Sequence, residues 1–216
     1  VNALTTGSLS YKLSDTAANL ALAPVAVFGA NAAEVIVSTT ATAAQGVSGF
    51  ETIRFDTGEI DQDMVQFTAN TGFTKIVNNI AGSNLISNVG GTIDTLAALD
   101  GSTTLTFSRL LDNKSNALTV QNSAAGAATI TTLTVDEEET LTIADGAATA
   151  ASHTLTVTTL HAEDVVTLNI TGKGNKVITN AIESQATAYL TTVDASSATG
   201  TVSVSATNAT LALTMT

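Results

Sequence analysis

Ala117-Leu-Thr-Val120, Thr132-Leu-Thr-Val135, Thr140-Leu-Thr-Ile143, Thr154-Leu-Thr-Val157 and Thr167-Leu-Asn-Ile170 are five versions of one phrase. Apolar residues recur two apart with Thr or Asn between them. An extended chain with that alternation turns one face inward and presents hydroxyl or amide groups on the other. Each phrase is too short to bury a core alone. Such strands are stable when stacked on neighbours of the same kind, which is the logic of a solenoid or a sandwich. The phrase describes a scaffold and carries no reaction chemistry of its own.

Composition points the same way. The 216 residues are 44% hydrophobic, enough for a sizeable core and too much for a disordered chain. Aromatics are only 4%, Trp is absent, and Thr makes up roughly a fifth of the chain. Small apolar side chains build a thin, layered core, which suits an all-β solenoid or parallel β-helix, or an elongated β-sandwich, better than a compact enzyme around a pocket. Seven basic against 19 acidic residues give a net charge of −12. Nucleic acid and anionic lipid are poor partners for that surface, because binding either depends on Lys and Arg. Divalent cations suit it better, and hard carboxylate oxygens favour calcium. Zero cysteine excludes disulfides and thiolate metal sites. The Cys-free, Thr- and Ala-rich composition matches abundant bacterial surface proteins and predicts an extracellular location. No signal segment and no apolar run of membrane-spanning length is present, so membrane insertion is not expected. The chain reads as a segment of a longer protein.

Along the chain, Ser14-Asp-Thr16 followed by Ala17-Ala-Asn-Leu-Ala-Leu-Ala23 predicts a capped helix of about two turns ending before Pro24. Leu9 to Leu13 and Glu34 to Val37 read as strands, Thr39 to Ser48 as a loop, and Gly49 to Phe55 as an alternating strand. Asp56 to Asp63 reads as an acidic turn. Short strands are expected at Met64 to Thr68, Thr74 to Val77 and Thr103 to Phe107, with Leu96 to Leu99 as a short helical turn or part of a loop. After Asn113 the repeated phrase takes over and extends through Ala188 to Val193, Thr201 to Val204 and Thr210 to Leu213. This divides the chain into a β-rich region over 1–112 with a short N-terminal helix and a Thr-rich repeated-strand region over 113–216.

Tyr11-Lys-Leu-Ser-Asp-Thr-Ala-Ala-Asn-Leu20, Val47-Ser-Gly-Phe-Glu-Thr-Ile-Arg-Phe55, Val165-Val-Thr-Leu-Asn-Ile-Thr-Gly172 and Leu190-Thr-Thr-Val-Asp-Ala-Ser-Ser197 resemble phrases of proteobacterial surface-layer proteins of the RTX, type I-secreted kind. The resemblance implies a β-helical segment, calcium-dependent assembly and a place on the cell exterior. Similar phrases occur in large RTX adhesins. Gly90-Gly-Thr-Ile-Asp94 departs from the family's calcium-binding nonapeptide: the third Gly is missing and Asp94 falls one position early. Calcium ligation is therefore not carried over to Gly90, Gly91 or Asp94.

Asp56, Glu59, Asp61 and Asp63 are the metal candidates, since alternate carboxylates on a Gly-containing turn can converge on one hard cation. Asp136-Glu-Glu-Glu139 points its side chains in different directions and reads as an acidic surface or lattice contact. The spacing of His161 with Glu163 or Asp164 allows an acid-base or metal pair, but the segment reads as a solvated loop. No nucleophile elbow is present, and no catalytic residue is assigned. Thr154, Thr156 and Thr158 have the spacing of an ice-binding array, yet the phrases recur at intervals too uneven for a lattice-matched plane.

The expected function is structural: a non-enzymatic segment of a self-assembling bacterial surface layer stabilised by calcium, or the stalk of a large secreted adhesin. Its expected partners are further copies in a lattice and, through another region, cell-surface polysaccharide.

Overall fold

The computed structural model describes residues 12–16, 18, 26–27, 34–45, 47–56, 60–67, 72–98, 102–146, 150–183, 190–205 and 214–215. Its strands are β1 (Lys12–Asp15), β2 (Ala26–Val27), β3 (Glu34–Val37), β4 (Val47–Ser48), β5 (Thr52–Phe55), β6 (Asp61–Asp63), β7 (Lys75–Asn78), β8 (Ser83–Val89), β9 (Thr95–Ala98) and β10 (Ser102–Arg109). They continue as β11 (Ala117–Asn122), β12 (Ala128–Thr134), β13 (Thr140–Asp145), β14 (Thr154–His161), β15 (Thr167–Ile170), β16 (Asn175–Ile178), β17 (Thr192–Asp194), β18 (Val202–Val204) and β19 (Thr214–Met215). A 3-10 helix covers Met64–Phe67.

Odd-numbered strands from β1 to β19 form one ten-stranded sheet, and even-numbered strands from β6 to β18 form a seven-stranded one. A further pair joins β2 to β4. All pairings between neighbours are parallel, so each coil lays one strand on each sheet before the next coil stacks on it. The chain is a β-solenoid, which decides between the two architectures its alternation allows. Both sheets run unbroken past residue 112, β9 pairing with β11 and β10 with β12.

Coil length varies while register does not. Glu34 pairs with Thr52, an advance of 18 residues, whereas Thr140 pairs with Thr167, an advance of 27. Loops absorb the difference, because an insertion outside the ladder costs only slowly growing closure entropy and a slip inside it would expose every apolar side chain. The resulting columns line the core. One runs in register from Val35 through Ile53, Ile76, Leu96, Val120 and Ile143 to Ile170, all buried. Phe50, Phe55, Phe67 and Phe107 are the largest side chains fully buried in the core.

Several local expectations give way to this stacking. Asp61–Asp63, expected in a turn, forms β6 because it pairs with Leu85 to Ser87 of the next coil. Met64–Phe67, expected as a strand, turns as a 3-10 helix that buries Met64 and Phe67. Leu96 to Leu99, expected as a short helical turn or part of a loop, has its described residues, 96–98, in the strand β9, held between β7 and β11. Of the helix expected over 15–23, Asp15 instead ends β1, Ala18 is helical, and residues 17 and 19–23 lie outside the described residues. The segments 184–189 and 206–213, within which further strands were expected, are also outside them.

Candidate functional site

The acidic turn spans two faces of the coil. Asp56 follows β5 and accepts hydrogen bonds from Arg54 Nε at 2.5 Å and Asn79 Nδ2 at 2.9 Å. Arg54 also lies 3.9 Å from Glu34 on the preceding strand. Asp63 ends β6 and accepts from Val65 N at 3.0 Å and Asn88 Nδ2 at 3.1 Å, so it caps the 3-10 helix and steadies a bulge. At that bulge the register between β8 and β10 shifts, and Asn88 adopts a left-handed φ of 54°. Asp61 is exposed on the seven-stranded sheet, in a shallow depression of about 310 Å³ that it shares with Ser83, Asn84, Thr104 and Thr106. Glu59 lies outside the described residues. Among the described residues no three His, Cys, Asp or Glu side chains gather into a group that could hold a metal ion.

The run Asp136–Glu139 is not a plain acidic surface. Glu138 is buried and takes both Arg109 Nε at 2.6 Å and Arg109 Nη2 at 3.1 Å, a bidentate pair between coils. Arg109 also donates to the carbonyls of Ile93 at 2.5 Å and Ala117 at 3.0 Å and lies over the Phe107 ring at 4.9 Å. Glu137 accepts from Arg109 N, and Glu139 from Asn116 N at 2.7 Å. Burial raises the Glu138 carboxyl above its ordinary pKa even against the Arg109 bond and charge, and like-charged Glu139 and Glu137 add to the rise. Three neighbouring carboxylates thus tie down three different backbone or side-chain donors on the coil before.

A second buried pair was legible only in part. Lys176 reaches Asp145 Oδ1 at 2.7 Å and Gly174 O at 2.8 Å, while Gly174 N donates to Asp145 Oδ2 at 2.7 Å. Burial pushes the Asp145 carboxyl up. The N–H groups of Gly174 and Lys173 and the bond and charge of Lys176 outweigh that and hold it below its ordinary value. The available signal was parity: in Asn175-Lys-Val-Ile178, Lys176 shares the inward face with Ile178, and in Leu105-Thr-Phe-Ser-Arg109 the arginine shares it with Leu105 and Phe107. A charged residue at an inward position demands a partner, but alternation does not say which.

His161 Nδ1 lies 2.8 Å from Glu183 Oε2, a half-exposed pair on adjoining coils, rather than beside Glu163 or Asp164. Asp136 accepts from Glu163 N at 3.4 Å, and burial raises its carboxyl above the ordinary value despite that bond. His153 Nδ1 accepts from Ala150 N at 3.2 Å within its own turn.

One apolar cleft of about 280 Å³ opens beside the 3-10 helix, lined by Met64, Phe67, Phe73, Ile93 and Leu110 and floored by Gly90 and Gly91. No titratable side chain lines it, so it can shelter an apolar group but supplies no acid, base or nucleophile. No helix among the described residues is long and apolar enough to cross a membrane. Comparison with protein-family models, with curated proteins and with solved structures returns no match.

Proposed function

We propose that this chain is a structural segment of a self-assembling, calcium-stabilised bacterial surface layer, working outside the cell and catalysing nothing. The observation that carries the reading is the use to which the charged residues are put. Arg109, Lys176, Glu138 and Asp145, which a catalytic groove would turn toward a substrate, are spent holding coil to coil inside the stack. What remains outside is a repetitive Thr-rich face and a strongly acidic surface, suited to contacts among many identical copies.

Calcium enters this proposal as a bridge between copies. Asp56 and Asp63 already hold donors from their own chain, which leaves Asp61, beside the hydroxyls of Ser83, Thr104 and Thr106, as the carboxylate best placed for an ion completed by a neighbour. Twelve excess negative charges oppose close packing of copies until a divalent cation neutralises them. Electron microscopy of the parent protein with and without calcium tests the reading. Two-dimensional arrays that form only with calcium are expected. Isolated rods would favour an adhesin stalk, and compact monomers under both conditions would overturn the assembly reading.

A further inference from the structure

Uneven spacing of the Thr-bearing phrases argues, in the sequence, against an ordered hydroxyl lattice. The fold removes that objection. Successive phrases lie on alternate sheets, and along the ten-stranded sheet each strand from β9 to β17 pairs in register with the next. The irregular intervals are loop length, and none of it enters the ladder.

Outward positions of this sheet form two columns. One carries Thr95, Thr119, Thr142 and Asn169, and the other Ala117, Thr140, Thr167 and Thr192. The intervening Leu118, Leu141 and Leu168 point inward and are buried, which anchors the plane from behind. Ranks repeat at about 4.8 Å across the strands and the two columns stand about 6.6 Å apart along them. Water oxygens on the faces of hexagonal ice recur at similar intervals. Threonine adds rigidity, because its branched Cβ restricts χ1 and holds each methyl and hydroxyl in place. Among the described residues, the hydroxyls of Thr119, Thr140, Thr142, Thr167 and Thr192 take no partner from the protein. The ranks at 117–119, 140–142 and 167–169 carry no charge on a chain with 19 acidic residues, and the uncharged plane ends at Lys75 beside Thr95 on one side and at Asp194 beside Asn169 on the other. Among the described residues no aromatic ring stands on the face, so they offer no stacking platform of the kind that sugar rings favour.

We propose that this Thr face of the ten-stranded sheet binds ice, its methyl and hydroxyl columns ordering a water layer that merges with a crystal surface. The inference goes beyond the assembly reading and does not depend on it.

The test is to grow single ice crystals in solutions of the 216-residue chain and follow crystal shape and the gap between melting and freezing temperatures. Faceted crystals and a measurable gap are expected for the wild type. Thr142→Tyr keeps a strand-favouring residue but breaks the plane and should lose most of the gap, whereas Thr156→Tyr on the other sheet should keep it. Circular dichroism confirms that each variant is folded, and Thr119→Tyr gives the same reading at another rank if Thr142→Tyr is not. Round, unshaped crystals with folded wild type, or an undiminished gap in both Thr142→Tyr and Thr119→Tyr, would overturn the proposal, as would equal loss in Thr156→Tyr.

Discussion

Lys176 Nζ sits 2.7 Å from Asp145 Oδ1 inside the stack, with the two side chains only 1% and 9% exposed. The amine comes from the seven-stranded sheet and the carboxylate from the end of a strand in the ten-stranded one, so a single ion pair ties the two walls of the solenoid together. Lys176 occupies a core position, between Leu155 on one neighbouring strand and Val202 on the other.

Removing one partner should therefore cost more than the pair is worth. Lys176→Met leaves Asp145 buried with only backbone donors, and the expected loss is about 3–5 kcal/mol. Adding Asp145→Asn should restore part of it. Urea unfolding of both single variants and the double variant measures the coupling; strict additivity would show that the two groups do not act as a pair.

Gly172 is the position the Asp145 carboxylate makes intolerant. Its φ is +95°, and a Cβ there would run into the Asp145 carboxylate. Gly172→Ala should cost about 1–3 kcal/mol from backbone strain, with the displaced carboxylate adding to it. A Cβ on Gly90 meets nothing within 4 Å, so Gly90→Ala should stay within about 0.5 kcal/mol of wild type in the same unfolding experiment.

The two buried carboxylates respond to acid in opposite directions. Asp145 is held below its ordinary value of 3.8, so its contribution is fully present above that pH and is lost as pH falls through the lower folded value. Glu138 is raised above 4.5; it penalises the fold at neutral pH, and the penalty fades as pH falls through the raised value toward 4.5. Melting temperatures measured from pH 7 to pH 2 should show wild type and Asp145→Asn separated by a constant gap above about pH 4 and converging below it. A gap that widens on acidification would contradict the assignment.

Calcium titration followed by light scattering should bring the wild type to assembly, with magnesium substituting poorly because it holds its waters in a rigid octahedron. The Asp56→Asn, Asp61→Asn, Asp63→Asn variant, checked for fold by circular dichroism, should require more calcium. Assembly of the wild type without calcium would falsify the ion requirement, and coincident curves would move the ligands away from this turn.

His153→Ala with His161→Ala should leave fold and assembly unchanged. The His161–Glu183 pair is half exposed, and such pairs contribute at most about 1 kcal/mol. Loss of a hydrolytic or metal-dependent activity in that double variant would reveal a site the geometry gives no hint of.

The alternation in Thr140-Leu-Thr-Ile143 and its relatives was enough to name the strands and their inward residues, because a period of two is a local property of an extended chain. Composition did as much for two other features: zero cysteine excludes disulfides, and small apolar residues with few aromatics predict a thin core. What alternation does not contain is the partner of each strand. Whether Thr140 would lie beside Thr132, the next phrase back, or beside Ala117, a whole coil back, depends on contacts between distant segments, and the fold chose Ala117. That choice turned uneven phrases into even columns, made β6 from a segment that reads as a turn, and gave Glu138 and Asp145 their cationic partners. A buried charge can be suspected from parity, but only the stacking of one coil on the next decides which residue neutralises it, since the desolvation cost is offset by whichever group that stacking brings within reach.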